Sequence, residues 1–234
     1  MHYVIGDIHN EIRKLDSILE QIQPTDGDQV ILLGDLFDRG VEEADPVGVY
    51  FAITRLRDRC VWLRGNHDEW LANYIKKYFS LPERKRNKIF PYPYNSFDLI
   101  KQRLTEKDML DLADQIYELP LQMELEIEGK RYLFAHAMTA YPSERKPARE
   151  YLMGNYELES FFLEGIEGYT SLCGHTVTDD YFMQGGGRYL DEYMRSIWTN
   201  DRRNVYLIDC GCGFTGGKLA CICLETGERF YSHR

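Results

Sequence analysis

An α/β fold built on a parallel sheet is what this chain predicts, and three features of the sequence carry the expectation. Three times in the first seventy residues an apolar, β-rich run ends at glycine followed by Asp or Asn: Tyr3-Val4-Ile5-Gly6-Asp7, Val30-Ile31-Leu32-Leu33-Gly34-Asp35 and Val61-Trp62-Leu63-Arg64-Gly65-Asn66. Helical spacing fills the gaps between these runs. Strand, helix, strand, helix, strand at this spacing implies parallel pairing through right-handed crossovers, so the carboxyl ends of the strands fall along one edge, where α/β folds place their ligands.

The first run, His2 to Ile5, reads as a strand. Ile12, Leu15, Ile18, Leu19 and Ile22 then recur at spacings of three or four, giving a helix that Asn10 is placed to cap. After the second run a helix is expected from Asp45 to Arg57, and after the third run another begins near Asn66, with Trp70, Leu71, Tyr74, Ile75 and Tyr78 on its inner face. Residues 80–95 combine a basic cluster, Arg84, Lys85, Arg86 and Lys88, with Pro91-Tyr92-Pro93-Tyr94, which cannot be regular helix. The cluster reads as a solvated loop and the two tyrosines as part of a packed one. Short helices follow to about Glu118. Leu121 to Glu128 alternates and turns at Gly129-Lys130 into Arg131 to Ala135, a β-hairpin that ends at His136. Thr170 to Cys173 is a further strand, ending at Gly174-His175, and Gly185-Gly186-Gly187-Arg188 reads as a flexible turn. Val205 to Asp209, Leu219 to Leu224 and Arg229 to Ser232 close the chain as strands.

The length suits a single domain over residues 1–234. Thirty-eight acidic against 28 basic side chains leave a net charge of −10, which opposes nucleic-acid backbones and anionic membranes at long range. No run is apolar and long enough to span a bilayer, and functional-looking residues begin by Asp7, so a leader peptide is not expected and a cytoplasmic location is. In that compartment the six cysteines read as free thiols; Cys210, Cys212, Cys221 and Cys223, two C-x-C pairs, are expected to be buried small side chains rather than a zinc site.

Asp7 and His9 stand two apart at a strand end and can grip one ion together. Asp35 ends the neighbouring strand, and a carboxylate there has two oxygens with which to bridge two cations. Asn66 adds an amide oxygen, and His136 and His175 add imidazoles. Such a mixed N/O set suits Mn, Fe or Zn, with Mn expected first. Two ions about 3.5–4 Å apart hold a bridging hydroxide at neutral pH and clamp phosphoryl oxygens for in-line displacement. The charge on those oxygens calls for guanidinium groups, and Arg39 and Arg64 flank the ligands. A leaving alkoxide needs a proton: His67 is the candidate general acid and Asp38 the carboxylate that orients it.

Gly6-Asp7-Ile8-His9, Gly34-Asp35-Leu36-Phe37-Asp38-Arg39-Gly40, Arg64-Gly65-Asn66-His67-Asp68, Ala135-His136-Ala137 and Gly174-His175-Thr176 resemble, in order, the motifs of the calcineurin-like metallophosphoesterases. The likeness is greatest to the phosphoprotein phosphatase branch with its small bacterial and phage members. It implies a four-layer α/β/β/α sandwich, two divalent metals and a Ser/Thr phosphatase-like phosphomonoesterase acting on a phosphorylated protein or a small phosphoester. Where that branch carries a further phosphate-binding arginine, this chain offers Asn155, with Arg145 and Arg149 nearby. Asp68, in place of the branch's usual Glu, resembles the dinucleoside polyphosphate hydrolases instead, so a symmetrical diadenosine tetraphosphate hydrolase is the second expectation. A noncatalytic binding scaffold on the same fold is the third. Oligomeric state is not legible.

Overall fold

The computed structural model describes all residues except 41–42, 180–185, 194 and 234. The apolar runs become β1 (His2–Ile5), β2 (Gln29–Leu32) and β3 (Cys60–Trp62), joined by α1 (Ile12–Ile22) and α2 (Pro46–Thr54). β1 and β2 pair in parallel with Tyr3 opposite Val30, and β2 and β3 pair in parallel with Ile31 opposite Val61. Next come α3 (Asn66–Ser80), α4 (Glu83–Arg86), α5 (Phe97–Ile100) and α6 (Glu106–Glu118). The second half supplies the hairpin β4 (Gln122–Ile127) and β5 (Lys130–Ala135), then α7 (Ala148–Met153), α8 (Leu158–Glu164) and β6 (Thr170–Cys173). It closes with β7 (Gly187–Tyr189), β8 (Trp198–Asn200), β9 (Val205–Leu207), β10 (Ala220–Cys223) and β11 (Arg229–Tyr231). Among the described residues the strands form two sheets, ordered β11-β10-β1-β2-β3 and β4-β5-β6-β9-β8-β7.

Side-chain alternation builds the layers. In β1 and β2, Ile5, Val30 and Leu32 face α1, α2, α3 and α6, while Val4 and Ile31 face the other way. In β5 and β6, Phe134 and Leu172 meet Val4 and Ile31 between the sheets, while Leu133 and Cys173 face Phe161 and Phe162 of α8. Three stacked apolar seams between four layers constitute an α/β/β/α sandwich. No helix among the described residues is long and apolar enough to cross a membrane.

Several local expectations are corrected. Asn10 does not cap α1: its backbone is left-handed (φ 65°), and its side-chain amide donates to the Arg39 carbonyl (3.1 Å) and Ser96 Oγ (3.0 Å). The second helix is shorter than 45–57 because Asp45 caps it, accepting from Gly48 N–H at 2.8 Å, and Arg57 turns left-handed (φ 52°). On α3 the buried face is Leu71, Ala72, Tyr74 and Ile75; Trp70 and Tyr78 sit at its margin. Gly187 and Arg188 are strand rather than turn, paired with Asn200 and Thr199, and Gly185 lies outside the described residues. Tyr92 and Tyr94 are 61% and 81% exposed, so their segment is not a packed loop, although one side of Tyr92 lies against Trp70. The cysteines are free, as expected; Cys210 packs between the sheets and Cys212 on the helical side, so that pair faces two different seams.

Candidate metal centre and active site

Parallel strands β1, β2, β3, β5, β6 and β9 all point their carboxyl ends to one edge of the sandwich, and each end delivers a polar side chain there. Asp7 and His9 follow β1, Asp35 follows β2, Asn66 follows β3, His136 follows β5, His175 follows β6, and Asp209 follows β9. The loops that carry them are locked together: Ile8 and His9 N–H both donate to the Asp35 carbonyl (3.0 Å each), and Asn10 N–H donates to the Leu36 carbonyl (2.9 Å). His9, Asn10, Asp35, Asp38, Arg39 and His175 all adopt positive φ, a conformation costly for residues with a Cβ and concentrated at this one edge.

Two trios of donor atoms result, Asp7/His9/Asp35 and Asp35/His136/His175, each within 4.8 Å of one another and sharing Asp35. Asp35 Oδ2 lies 3.8 Å from His9 Nε2 and 3.3 Å from His136 Nε2, so this one carboxylate stands between both trios. Asn66 Oδ1 sits 2.9 Å from His136 Nε2 and 2.9 Å from His175 Nδ1. Ligands at right angles on an ion with bonds of about 2.1 Å are about 3 Å apart, so these spacings suit neighbouring coordination positions. The rings are oriented from behind. His9 Nδ1 faces the Phe37 carbonyl (3.0 Å) and His136 Nδ1 the Leu33 carbonyl (2.9 Å); an N–H donated there turns the Nε2 lone pair inward in each case.

Burial shapes the charge. Burial pushes the His9 imidazole down to about 3, and burial with the neighbouring His136 lowers His175 to about 4, so both are neutral and available to ligate near neutral pH. Burial opposes charge on His136 as well, but Asp35 and Asp7 outweigh it and raise His136 to about 10. Burial would likewise raise Asp35, yet the attraction of His136 holds that carboxyl below its usual range. Asp7 is pushed up, first by burial and then by Asp209.

Beside the trios, His67 Nδ1 is 3.0 Å from Asp38 Oδ2, and Arg39 Nη1 is 3.2 Å from His9 Nε2 with its guanidinium 4.5 Å above the Phe214 ring. The structure does not bring Arg64 to the trios. Its guanidinium donates to Glu69 (3.1 Å) and to the Tyr117 and Leu119 carbonyls at the end of α6, where bare helix-terminal carbonyls attract a cation. Asn155 donates to Glu150 (2.8 Å), while Arg145 and Arg149 are exposed.

The chain matches the calcineurin-like phosphoesterase family over residues 3–202. It belongs to that family. A proposed serine/threonine-protein phosphatase of Caenorhabditis elegans is 32% identical over 77 residues, 32% of this chain and 21% of that protein. An uncharacterized protein of Methanocaldococcus jannaschii is 26% identical over 159 residues, 65% of this chain and 54% of that protein. The chain thus spans between a fifth and about half the length of these relatives. Among solved structures, a proposed diadenosine tetraphosphatase superposes with TM-score 0.64 at 19% identity, covering 98% of this chain and 91% of the other. A Saccharomyces cerevisiae protein serine/threonine phosphatase superposes with TM-score 0.56 at 15% identity, over 100% and 80% of the two chains. A Sphaerobacter thermophilus metallophosphoesterase gives TM-score 0.56 at 17% identity, over 100% and 86%. At these identities the likeness is one of fold.

Calcineurin-like phosphoesterases use a dinuclear divalent metal centre, and the residues at this edge fit one. Three buried carboxylates, Asp7, Asp35 and Asp209, lie among three histidines of which only His136 is raised, a local excess of negative charge that divalent cations would balance. Asp209 is the residue that motif reading missed. It is 1% exposed, its Oδ1 accepts from Gly211 N–H at 2.9 Å, its Oδ2 has no hydrogen-bond partner among the described residues, and burial pushes its carboxyl up to about 6. The signal was present: Val205-Tyr206-Leu207-Ile208-Asp209 repeats the apolar run ending in Asp that marks the first two ligand strands, without the glycine. Asp68 was noted only as a departure from a motif. Buried, it accepts from the N–H groups of Asp35 (3.0 Å), Leu36 (2.9 Å) and Gly65 (2.9 Å) and from Trp62 Nε1 (3.2 Å), tying the second and third ligand loops together.

Proposed function

We propose that this calcineurin-like phosphoesterase hydrolyses phosphate monoesters directly, with Asp7, His9, Asp35, Asn66, His136 and His175 holding two divalent ions. The observation that carries the reading is Asp35, one buried carboxylate shared by two donor trios. When bound, two such ions supply a water that is nucleophilic at neutral pH and a positive clamp on the phosphoryl oxygens. The chain supplies the rest. Arg39, at the mouth of the first trio, donates to the phosphoryl group; Arg64 joins it only by exchanging its bonds to Glu69 and α6. Asp38 accepts from His67 Nδ1–H, fixes the orientation of the ring, and leaves Nε2–H to protonate the departing oxygen. Mn is the expected metal, with Fe and Zn compatible with the same donors.

On substrate, the Gly34–Gly40 and Arg64–Asp68 motif pair supports a Ser/Thr protein phosphatase-like activity. A second reading, hydrolysis of dinucleoside polyphosphates, is favoured by Asp68 in place of Glu and by Asn155, bound to Glu150, where an arginine would serve a phosphoprotein.

The test is hydrolysis of p-nitrophenyl phosphate by metal-stripped protein with Mn restored, beside Asp35→Asn. Turnover that requires Mn and falls at least about 100-fold in the variant supports the two-metal reading. Well-folded, Mn-loaded protein without turnover on this ester or on diadenosine tetraphosphate would point to a noncatalytic scaffold.

A further inference from the structure

A row of aromatic rings leads away from the candidate general acid. His67 packs against Trp70, one turn along α3, with ring centroids 4.7 Å apart, and Trp70 packs against Tyr92 at 5.1 Å with only 31° between the planes. Tyr92 is 61% exposed and Tyr94 81%, and Phe90, at the start of the same segment, is 83% exposed. Exposed aromatic side chains gathered in one short segment beside a candidate active site are a recognition feature, because water is a poor neighbour for them.

The segment is held to the reaction centre. Arg39 N–H donates to the Tyr94 carbonyl (2.9 Å), Ser96 N–H to Asp38 Oδ1 (2.8 Å), and Asp38 N–H to Ser96 Oγ (2.7 Å). At its other end Tyr74 OH donates to the Ile89 carbonyl (3.2 Å). Pro91 and Pro93 stiffen the stretch between, and Tyr94 is fixed at φ 62°. Asp38 thus grips the general acid with Oδ2 and anchors the aromatic segment with Oδ1, which sets the tyrosines in register with the leaving-group side of the site.

We infer that Trp70, Tyr92 and Tyr94 form a stacking shelf for the nucleobase of a substrate whose leaving group is a nucleoside or nucleotide. This rests on the phosphoesterase reading above. Spacing selects the occupant. A phenyl ring bonded directly to the departing oxygen stays beside His67, whereas a base carried beyond that oxygen on a ribose, or on a ribose and phosphates, can extend to Tyr92, the second ring out from His67. Charge agrees: in a chain of net charge −10, Arg84, Lys85 and Lys88 immediately precede the aromatic segment and favour an anionic occupant at long range, while Arg86 is held by the Leu81 carbonyl and Glu106. Base-on-aromatic stacking tolerates any base, so the shelf selects nucleotides as a class.

Tyr92→Ala, Tyr94→Ala and the conservative Tyr92→Phe separate this inference from its parent. With Mn present, kcat/KM is measured on AMP, diadenosine tetraphosphate, glycerol 2-phosphate and a phosphotyrosine peptide. AMP binding to each protein is measured separately by calorimetry. The expected result is a preference for the two nucleotides, a fall of about 10-fold in kcat/KM on them in Tyr92→Ala, no change on glycerol 2-phosphate, and wild-type behaviour in Tyr92→Phe. AMP binding should weaken by a similar factor. Turnover of all four substrates indifferent to Tyr92, or a preference for the phosphotyrosine peptide, would overturn the shelf and leave the phosphoesterase standing. Absence of all turnover would remove the parent reading, and calorimetry then decides alone: an AMP affinity that is undetectable, or unaltered by Tyr92→Ala, refutes the shelf.

Discussion

Asp68 accepts four hydrogen bonds while fully buried. Replacing it with Asn presents an amide N–H₂ to at least one N–H group, leaving buried donors unpaired at the base of two ligand loops. Asp68→Asn should therefore lower unfolding free energy by about 3 kcal/mol, read as a reduced urea midpoint at unchanged slope. His67 illustrates a different kind of dependence. It lies beside both trios without joining either, so His67→Ala should retain bound Mn by atomic absorption. Turnover should collapse by about 100-fold on alkyl phosphates and far less on p-nitrophenyl phosphate, whose leaving oxygen scarcely needs a proton. Equal losses on both esters would argue against proton donation by this ring.

At the scale of elements, the ligands depend on how closely one loop passes another. Gly174 N–H donates to the His136 carbonyl (2.8 Å), and a Cβ at Gly174 would run into Asp7 Oδ1. Gly174→Ala should displace that carboxylate and weaken Mn binding at least about 10-fold by titration calorimetry, with the far-ultraviolet circular dichroism unchanged. The strand-end positions of Asp7, Asp35, Asn66, His136 and His175 were legible because each follows a short apolar, β-rich run, and such runs bounded by turn residues read as buried strands. Helix limits were less so: the Asp45 cap and the left-handed Arg57 shorten α2, and these are matters of backbone geometry that periodicity does not encode. The short α7, α8, β7 and β8 escaped notice because segments of three to seven residues hold too few repeats to display a period. Arg64 could not be placed from sequence, since its partners are the carbonyls of a helix end some fifty residues away.

On the scale of the whole molecule, one tie closes the far edges of the two sheets. Asp191, just beyond β7, takes Arg229 Nε and Nη2 at 2.9 and 3.0 Å and Tyr231 OH at 2.6 Å, both partners lying on β11. Partial burial raises the Asp191 carboxyl, but the hydrogen bonds from Arg229 and Tyr231 outweigh it and hold it below the usual range. A depressed carboxylate contributes stability above its unfolded-state pKa of about 3.9 and loses it as pH falls through the lower folded-state value. Asp191→Asn should consequently be less stable than wild type at pH 7, and the gap in urea midpoints should narrow below pH ~4. A gap that widened with acid would reverse the assigned sign. At the opposite, functional edge, the sheets are joined by the donor trios themselves: Asp7, His9, Asp35 and Asn66 belong to the first sheet, His136 and His175 to the second. Ions bound there would add a cross-link between the two sheets, beyond their apolar packing and the hydrogen bonds at either edge. Ligand concentration then enters the folding equilibrium, adding about 2.7 kcal/mol when free metal stands at a hundred times its dissociation constant. Metal supply would thereby govern how long a molecule survives proteolysis as well as how fast it turns over, so starvation for the ion would deplete the protein along with its activity.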